Sequence, residues 1–285
     1  MANPTVTLAP ARSYLTVQEF KDAPTGIDTA NLIPGGIAGA EDKELANVIA
    51  RASSWIDDIC NQILAPTTNT ERHRVRPGRR GQLFVKTDSF PIIRITALKY
   101  TTDPSSGWTS VDLSSAVVLA GDRSFEAFLN LSRTDDCWVE VTYENGMANT
   151  TLAATASAGA ASILVGSAVG IYAGQELTIY DGANTETIVV ATSYVAGGTT
   201  VAIAGTLANA HSTVGVAVSA LPPRVKEAAI LATGLLIKDR GAEAIVLDDA
   251  AGTRISGPGP ELSRRGDYTQ LVGMLEDFKV RVLAP

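Results

Sequence analysis

Cysteine and histidine are nearly absent from this 285-residue chain: two of each, Cys60, Cys137, His73 and His211. Two cysteines make no disulfide framework, and neither a CxxC pair nor an HExxH helix is present to hold zinc. GxSxG, GxxxxGK[ST] and GxGxxG are missing as well, which removes the nucleophile elbow and the common phosphate-cradling loops. No unbroken apolar run reaches the roughly 18 residues that a membrane-spanning helix needs. The opening, MANPTVTLAP, lacks the basic and apolar regions of a signal peptide, so the expectation is a soluble protein made or assembled inside a cell, with no membrane partner. Positive charge is the scarcer sign, with 23 Lys and Arg against 30 Asp and Glu, a net charge of -7 and a pI near 4.9. A dedicated DNA-coating protein would be basic. Hydrophobic residues at 45% and charged residues at 19% do support a folded core, in one large domain or two ordinary ones.

The absence of Lys and Arg becomes total between Ala148 and Ala220, where only Glu176, Asp181 and Glu186 are acidic. This block is rich in Ala, Thr, Gly and Val, and its apolar residues alternate. Leu177 and Ile179, then Ile188 and Val190, flank an Asp181-Gly182 turn signal and predict a hairpin. Residues 162–165, 200–203 and 214–218 are further strand candidates, and AGAASILV (158–165) echoes AGGTTVAI (196–203). The composition step predicts a small all-β domain over 148–220, inserted into a host made of 1–147 and 221–285.

In the host, Thr16-Val17-Gln18-Glu19 fits a capping box at the start of a short helix. Leu45, Val48, Ile49, Ala52, Ile56, Ile59, Cys60 and Ile63 form one apolar stripe and predict a long helix over 41–64, stopped by Pro66. Residues 71–146 change to short strand candidates (72–76, 83–86, 92–100, 117–119, 125–129 and 138–143) separated by Pro-Gly, Asp-Pro, Gly-Asp and Asn-Gly turns. Pro222-Pro223 opens a second helix to Arg240, closed by Gly241 and apolar on most of its circumference. Asp267 and Gln270 suggest a capping box for a last helix over 267–283. The expected fold class is therefore α+β: a helical core with long helices, a β-rich excursion and an inserted β-domain.

Five arginines (Arg72, Arg74, Arg76, Arg79 and Arg80) crowd nine residues, and on a strand the first three share a face. Such a patch could meet nucleic-acid phosphate or an acidic partner surface, or simply guard a strand edge against aggregation. Asp57-Asp58, Asp135-Asp136 and Asp248-Asp249 offer carboxylates, but none sits in a loop of calcium-binding spacing, and Asp57-Asp58 falls on the solvated face of its helix. Neither histidine has a Cys, Ser or carboxylate at a recognisable spacing. The reading is a non-enzyme that needs no cofactor and no metal.

Several segments together resemble the head-to-tail connector, or adaptor, proteins of long-tailed bacteriophages. Tyr14-Leu15-Thr16-Val17-Gln18-Glu19-Phe20 is similar to that family's opening, and Glu44 to Ile63, with Ala52-Ser53-Ser54-Trp55-Ile56-Asp57, to its first long helix. Val139 to Gly146, ending Tyr-Glu-Asn-Gly, is similar to the strand before its second helix, and Leu221-Pro222-Pro223-Arg224-Val225 to that helix's start. The likeness covers about 12–146 and 221–283. It implies a virion protein at the neck, made in the host cytoplasm, that forms a ring of twelve copies beneath the portal. That ring would extend the DNA exit channel, without sequence-specific binding, and present a platform to the stopper or tail-completion protein. It also implies portal docking through Val280, Arg281, Val282 and Leu283. Subunit contacts are expected from the helices, at Trp55, Ile56, Val225, Ala229 and Leu236. Another tail or baseplate protein with a host-binding β-module is the alternative, and a cell-wall hydrolase the enzyme class to exclude by assay.

Overall fold

A computed structural model describes residues 13–29, 32–33, 39–78, 81–114, 118–120, 123–129, 136–211, 215–246 and 260–279. Three buried cores organise them. The first is helical. Thr16 caps α1 (Val17–Asp22), with both hydrogen bonds of the capping box formed to Glu19. Helix α2 (Ala40–Cys60) lays its stripe (Leu45, Ile49, Ala52, Ile56, Cys60) against α3 (Pro223–Val246) and α4 (Pro260–Leu275). The small side chains of Ala228, Ala229 and Ala232 let α3 approach closely, and all three are fully buried.

Helix boundaries differ from expectation for local reasons. Asn61, not Pro66, ends α2: its left-handed backbone (φ 52°) turns the chain so that the Gln62 N–H returns to the Asp57 carbonyl. Helix α3 runs through Gly241 to Val246, because one interior glycine costs only about 1 kcal/mol. Helix α4 starts at Pro260 rather than at a cap on Asp267, since proline suits a first helical turn. A 3-10 turn (Glu276–Phe278) follows it.

The second core belongs to seven strands in two sheets. Strands β1 (Thr67–Val75), β7 (Cys137–Asn145), β3 (Ile92–Thr101) and β4 (Thr109–Ser110) form one antiparallel sheet in that order. Strands β2 (Gln82–Lys86), β6 (Ser124–Phe128) and β5 (Val118–Ala120) form the other. Leu83, Val85, Leu98, Phe125, Ala127, Val139, Val141 and Tyr143 fill the space between them. Alternation decides this: every second residue of β7 from Cys137 to Tyr143 is buried.

The third core lies within 148–220. Strands β8 (Asn149–Thr151), β10 (Glu176–Tyr180), β11 (Glu186–Val189) and β13 (Ala217–Ser219) pair in the order β11-β10-β13-β8. The two echoing segments hold β9 (Ser162–Leu164) and β12 (Thr200–Ala202), and these pair with each other, Val201 opposite Ile163. Strands β8 and β13 lie side by side, and the Ala220 N–H donates to the Ala148 carbonyl at 2.7 Å.

The expected helical core with long helices is overturned by these proportions. Strand accounts for 32% of the chain and helix for 27%, so the molecule is mostly β-sheet with four short helices among the described residues. Residues 67–145 are no excursion from a helical core. They bury their own side chains between two sheets, and 148–220 adds a second β core.

Candidate functional site

The arginine patch lies on the outer face of the β1-β7-β3-β4 sheet. Strand β1 is an edge strand, and its alternation turns Arg72 and Arg74 outward while Glu71 and His73 turn the other way. In register, Arg72, Glu140 and Lys99 form one row across β1, β7 and β3. Arg72 reaches Glu140 Oε2 with Nη2 at 2.6 Å and Nε at 2.8 Å, and Lys99 Nζ reaches Oε1 at 2.9 Å. Burial opposes ionisation of Glu140, but the two cations prevail and hold its carboxyl below the usual range. The next row sets Arg74 opposite Trp138. Arg74 pairs with Asp136, which Arg76 Nε also approaches at 3.3 Å, and hydrogen bonding to Arg74 keeps the Asp136 carboxyl low. Each of the first two guanidiniums also lies over an indole, Arg72 at 5.2 Å from the Trp108 centroid and Arg74 at 6.0 Å from that of Trp138. The three arginine side chains are 56%, 62% and 75% exposed. Arg79 and Arg80 lie outside the described residues.

The residues expected at a subunit interface divide. Ile56, Val225 and Ala229 are fully buried in the helical core of their own chain, so they offer no surface to a partner. Trp55 and Leu236 are half-buried, and Trp55 stacks on Tyr268 with centroids 6.0 Å apart. Apolar circumference on α3 is consumed inside the subunit. Val280, Arg281, Val282 and Leu283 lie outside the described residues. Just before them, the Phe278 carbonyl accepts from Gln62 Nε2 at 2.8 Å, at the end of α2.

Three polar clusters that spacing alone did not reveal are brought together by the fold. Asp57 is no solvated surface charge: it accepts from the Tyr14 hydroxyl, and that hydroxyl accepts from the Leu64 N–H at 2.9 Å. Burial, then the Asp57 charge, push the Tyr14 phenol above its ordinary range. Lys226 on α3, with a side chain 7% exposed, reaches Glu19 Oε1 at 2.7 Å and lies 4.7 Å from the ring centroid of Tyr180 on β10. Burial lowers its pKa, against the pull of Glu19. His211 is fully buried between two carboxylates, Nδ1 2.9 Å from Asp181 Oδ2 and Nε2 3.0 Å from Glu186 Oε1. Glu186 also accepts the N–H groups of Ala208 and Asn209, each at 2.8 Å. The other histidine meets a carboxylate too, His73 Nε2 lying 2.9 Å from Glu71 Oε2.

Each cluster saturates its own donors and acceptors and ties distant segments together. No group of three His, Cys, Asp or Glu side chains among the described residues could hold a metal ion, and none of the described helices is long and apolar enough to cross a membrane.

Two solved structures are similar to this chain. One is a chain in the neck of an empty gene transfer agent particle with C6 symmetry, at 16% identity and TM-score 0.43, covering 100% of this chain and 99% of that one. The other is a chain in the virion of a native gene transfer agent particle, at 16% identity, TM-score 0.42 and the same coverage. No family model and no curated protein matches.

Proposed function

We propose that this chain is a structural, non-catalytic subunit of the neck of a tailed-phage-like particle. In this reading it is an adaptor that forms a ring of twelve copies beneath the portal. The ring extends the DNA exit channel and carries the stopper or tail-completion protein. One observation supports it above the rest. The four segments that resemble the adaptor family meet at one place, although they are spread over more than 200 residues of sequence. Tyr14 hydrogen-bonds to α2 at Ser53 and Asp57. The Asn145-Gly146 strand end docks on the end of α2, with the Met147 N–H on the Leu64 carbonyl at 2.8 Å. Leu221 and Val225 then enter the same helical core. Between strand end and helix, the Ala148–Ala220 hydrogen bond makes 148–220 a loop with touching ends, as an inserted domain in a 1–147 and 221–285 host requires.

The chain is made in the host cytoplasm and joins the neck. DNA passes through its channel without sequence-specific contact, helped by net negative charge that repels phosphate. Val280 to Leu283 dock on the portal. The test is negative-stain imaging of virions with this chain gold-labelled. Label at the head–tail junction in a closed ring is the expected result; label along the tail or at the baseplate would refute the reading. Replacing 148–220 with a short Gly/Ser linker should leave a folded, ring-competent protein. An unfolded product would mean that this block is core structure of the host.

A further inference from the structure

We propose that the Arg72–Arg74–Trp108–Trp138 face of the β1-β7-β3-β4 sheet is the contact that joins one copy of this chain to the next, head to tail. This names the partner surface within the ring reading above and rests on that reading.

The argument begins with what the helices no longer offer. Ile56, Val225 and Ala229 are enclosed in their own subunit, so the most contact-like surface left has to be sought elsewhere. Arginine and tryptophan are the side chains that dominate protein contacts, and this face presents both in alternation. The guanidiniums are also positioned before any partner arrives. Arg72 is held at two nitrogens by Glu140 and stacked on Trp108, and Arg74 is held by Asp136 and stacked on Trp138. Pre-ordered long side chains lose less entropy on binding.

Charge then chooses the partner. Within these two rows Arg72, Arg74, Arg76 and Lys99 face only Glu140 and Asp136, a surplus of two positive charges in a chain whose total is -7. A second copy is therefore attracted through its acidic remainder. The face cannot meet itself, because like charges would be opposed, so a two-fold symmetric dimer is excluded. The contact is heterologous, the kind that closes into a ring when repeated about an axis. Nucleic acid fits less well. Glu140 stands between Arg72 and Lys99 at the middle of the row, where it would repel a phosphate backbone.

The test uses the purified full-length chain in sedimentation velocity at about 0.1 M and about 1 M salt, where charges are screened beyond roughly 10 Å and 3 Å respectively. The expected result is a species heavier than the monomer at low salt that dissociates at high salt. Arg72→Glu with Arg74→Glu should be monomeric in both, with unchanged circular dichroism and melting temperature. If that pair lowers the melting temperature, Thr70→Glu on the same outer face replaces it, and it should weaken association at least tenfold. A wild-type chain that stays monomeric at high concentration in low salt overturns the proposal, as does a folded charge-reversed variant that still associates. A fluorescent duplex bound by the wild type and lost in Arg72→Glu/Arg74→Glu would reassign the face to DNA and also overturn it. A chain that self-associates through this face but is absent from labelled necks refutes the neck location alone. One located in the neck without this association refutes the face alone.

Discussion

Substituting Gly146 with alanine tests the junction on which the host fold turns. Gly146 has φ +90°, and a Cβ built there would lie 2.4 Å from the Ala65 carbonyl oxygen, 2.8 Å from its carbon and 2.9 Å from the Leu64 carbonyl oxygen. All three atoms are backbone, so no side chain can swing aside. The positive φ costs about 1–2 kcal/mol for any residue with a Cβ. Forcing the end of β7 off the end of α2 adds an overpacking penalty of about 1–3 kcal/mol. The expected total is about 2–5 kcal/mol. Gly107 separates the two contributions: it has φ +105°, but a Cβ there meets nothing within 4 Å, so Gly107→Ala should show the backbone penalty alone. Urea denaturation followed by tryptophan fluorescence is the assay, since Trp55 reports on the helical core and Trp108 and Trp138 on the two-sheet core. If Gly146→Ala costs no more than Gly107→Ala, the docking of strand end on helix end is not the constraint argued here.

Three further outcomes follow from buried groups. Lys226→Met should destabilise by about 3–5 kcal/mol in thermal melts, because Glu19 is left buried and unpaired, whereas adding Glu19→Gln should recover most of the loss. The Cys60 thiol, pushed up to about 12 by burial and then by the charge of Asp57, should resist a thiol reagent at pH 8 until the chain unfolds; full labelling of native protein would contradict this. Burial opposes the ionisation of Glu186, but the Ala208 and Asn209 N–H groups and His211 outweigh it and hold the carboxyl below its ordinary value. The unfolded chain then binds the proton first, so this stabilisation is complete above about pH 4.3 and is lost as pH falls through the folded pKa. The gap in melting temperature between wild type and Glu186→Gln should narrow on acidification, and a gap that widens would contradict the sign.

What the sequence made legible was local. The Thr16 capping box formed as expected because both partners lie within one turn, and the α2 stripe is buried at Leu45, Ile49, Ala52 and Ile56 because a period of 3.6 states which face turns inward. Strand positions from β1 to β7 were readable from alternation and turn residues. Their weight in the whole was not: a 21-residue helix gives a long periodic signal, whereas a three-residue strand such as β5 gives almost none until its neighbours are known. The polar clusters were illegible for a related reason. Tyr14 and Asp57 are 43 residues apart, His211 and Asp181 are 30, and Lys226 and Glu19 are 207, and no spacing rule reaches across such distances. Assigning subunit contacts to Ile56, Val225 and Ala229 failed because an apolar helix looks the same whether its own chain or a neighbour covers it.

The Ala148–Ala220 hydrogen bond has a thermodynamic consequence for the host. While 148–220 is folded, the host experiences that block as a link of one hydrogen bond between the two-sheet core and α3. Once the block melts, the same two points are joined by a floppy chain of residues 148–220, and holding them together costs loop-closure entropy. Because that entropy grows only with the logarithm of length, the penalty passed to the host is about 3 kcal/mol, however badly the block is damaged. Substitutions within 148–220 can therefore destroy their own core while the host loses no more than this fixed toll. Whatever selects the surface of that block is free to reshape it within that limit.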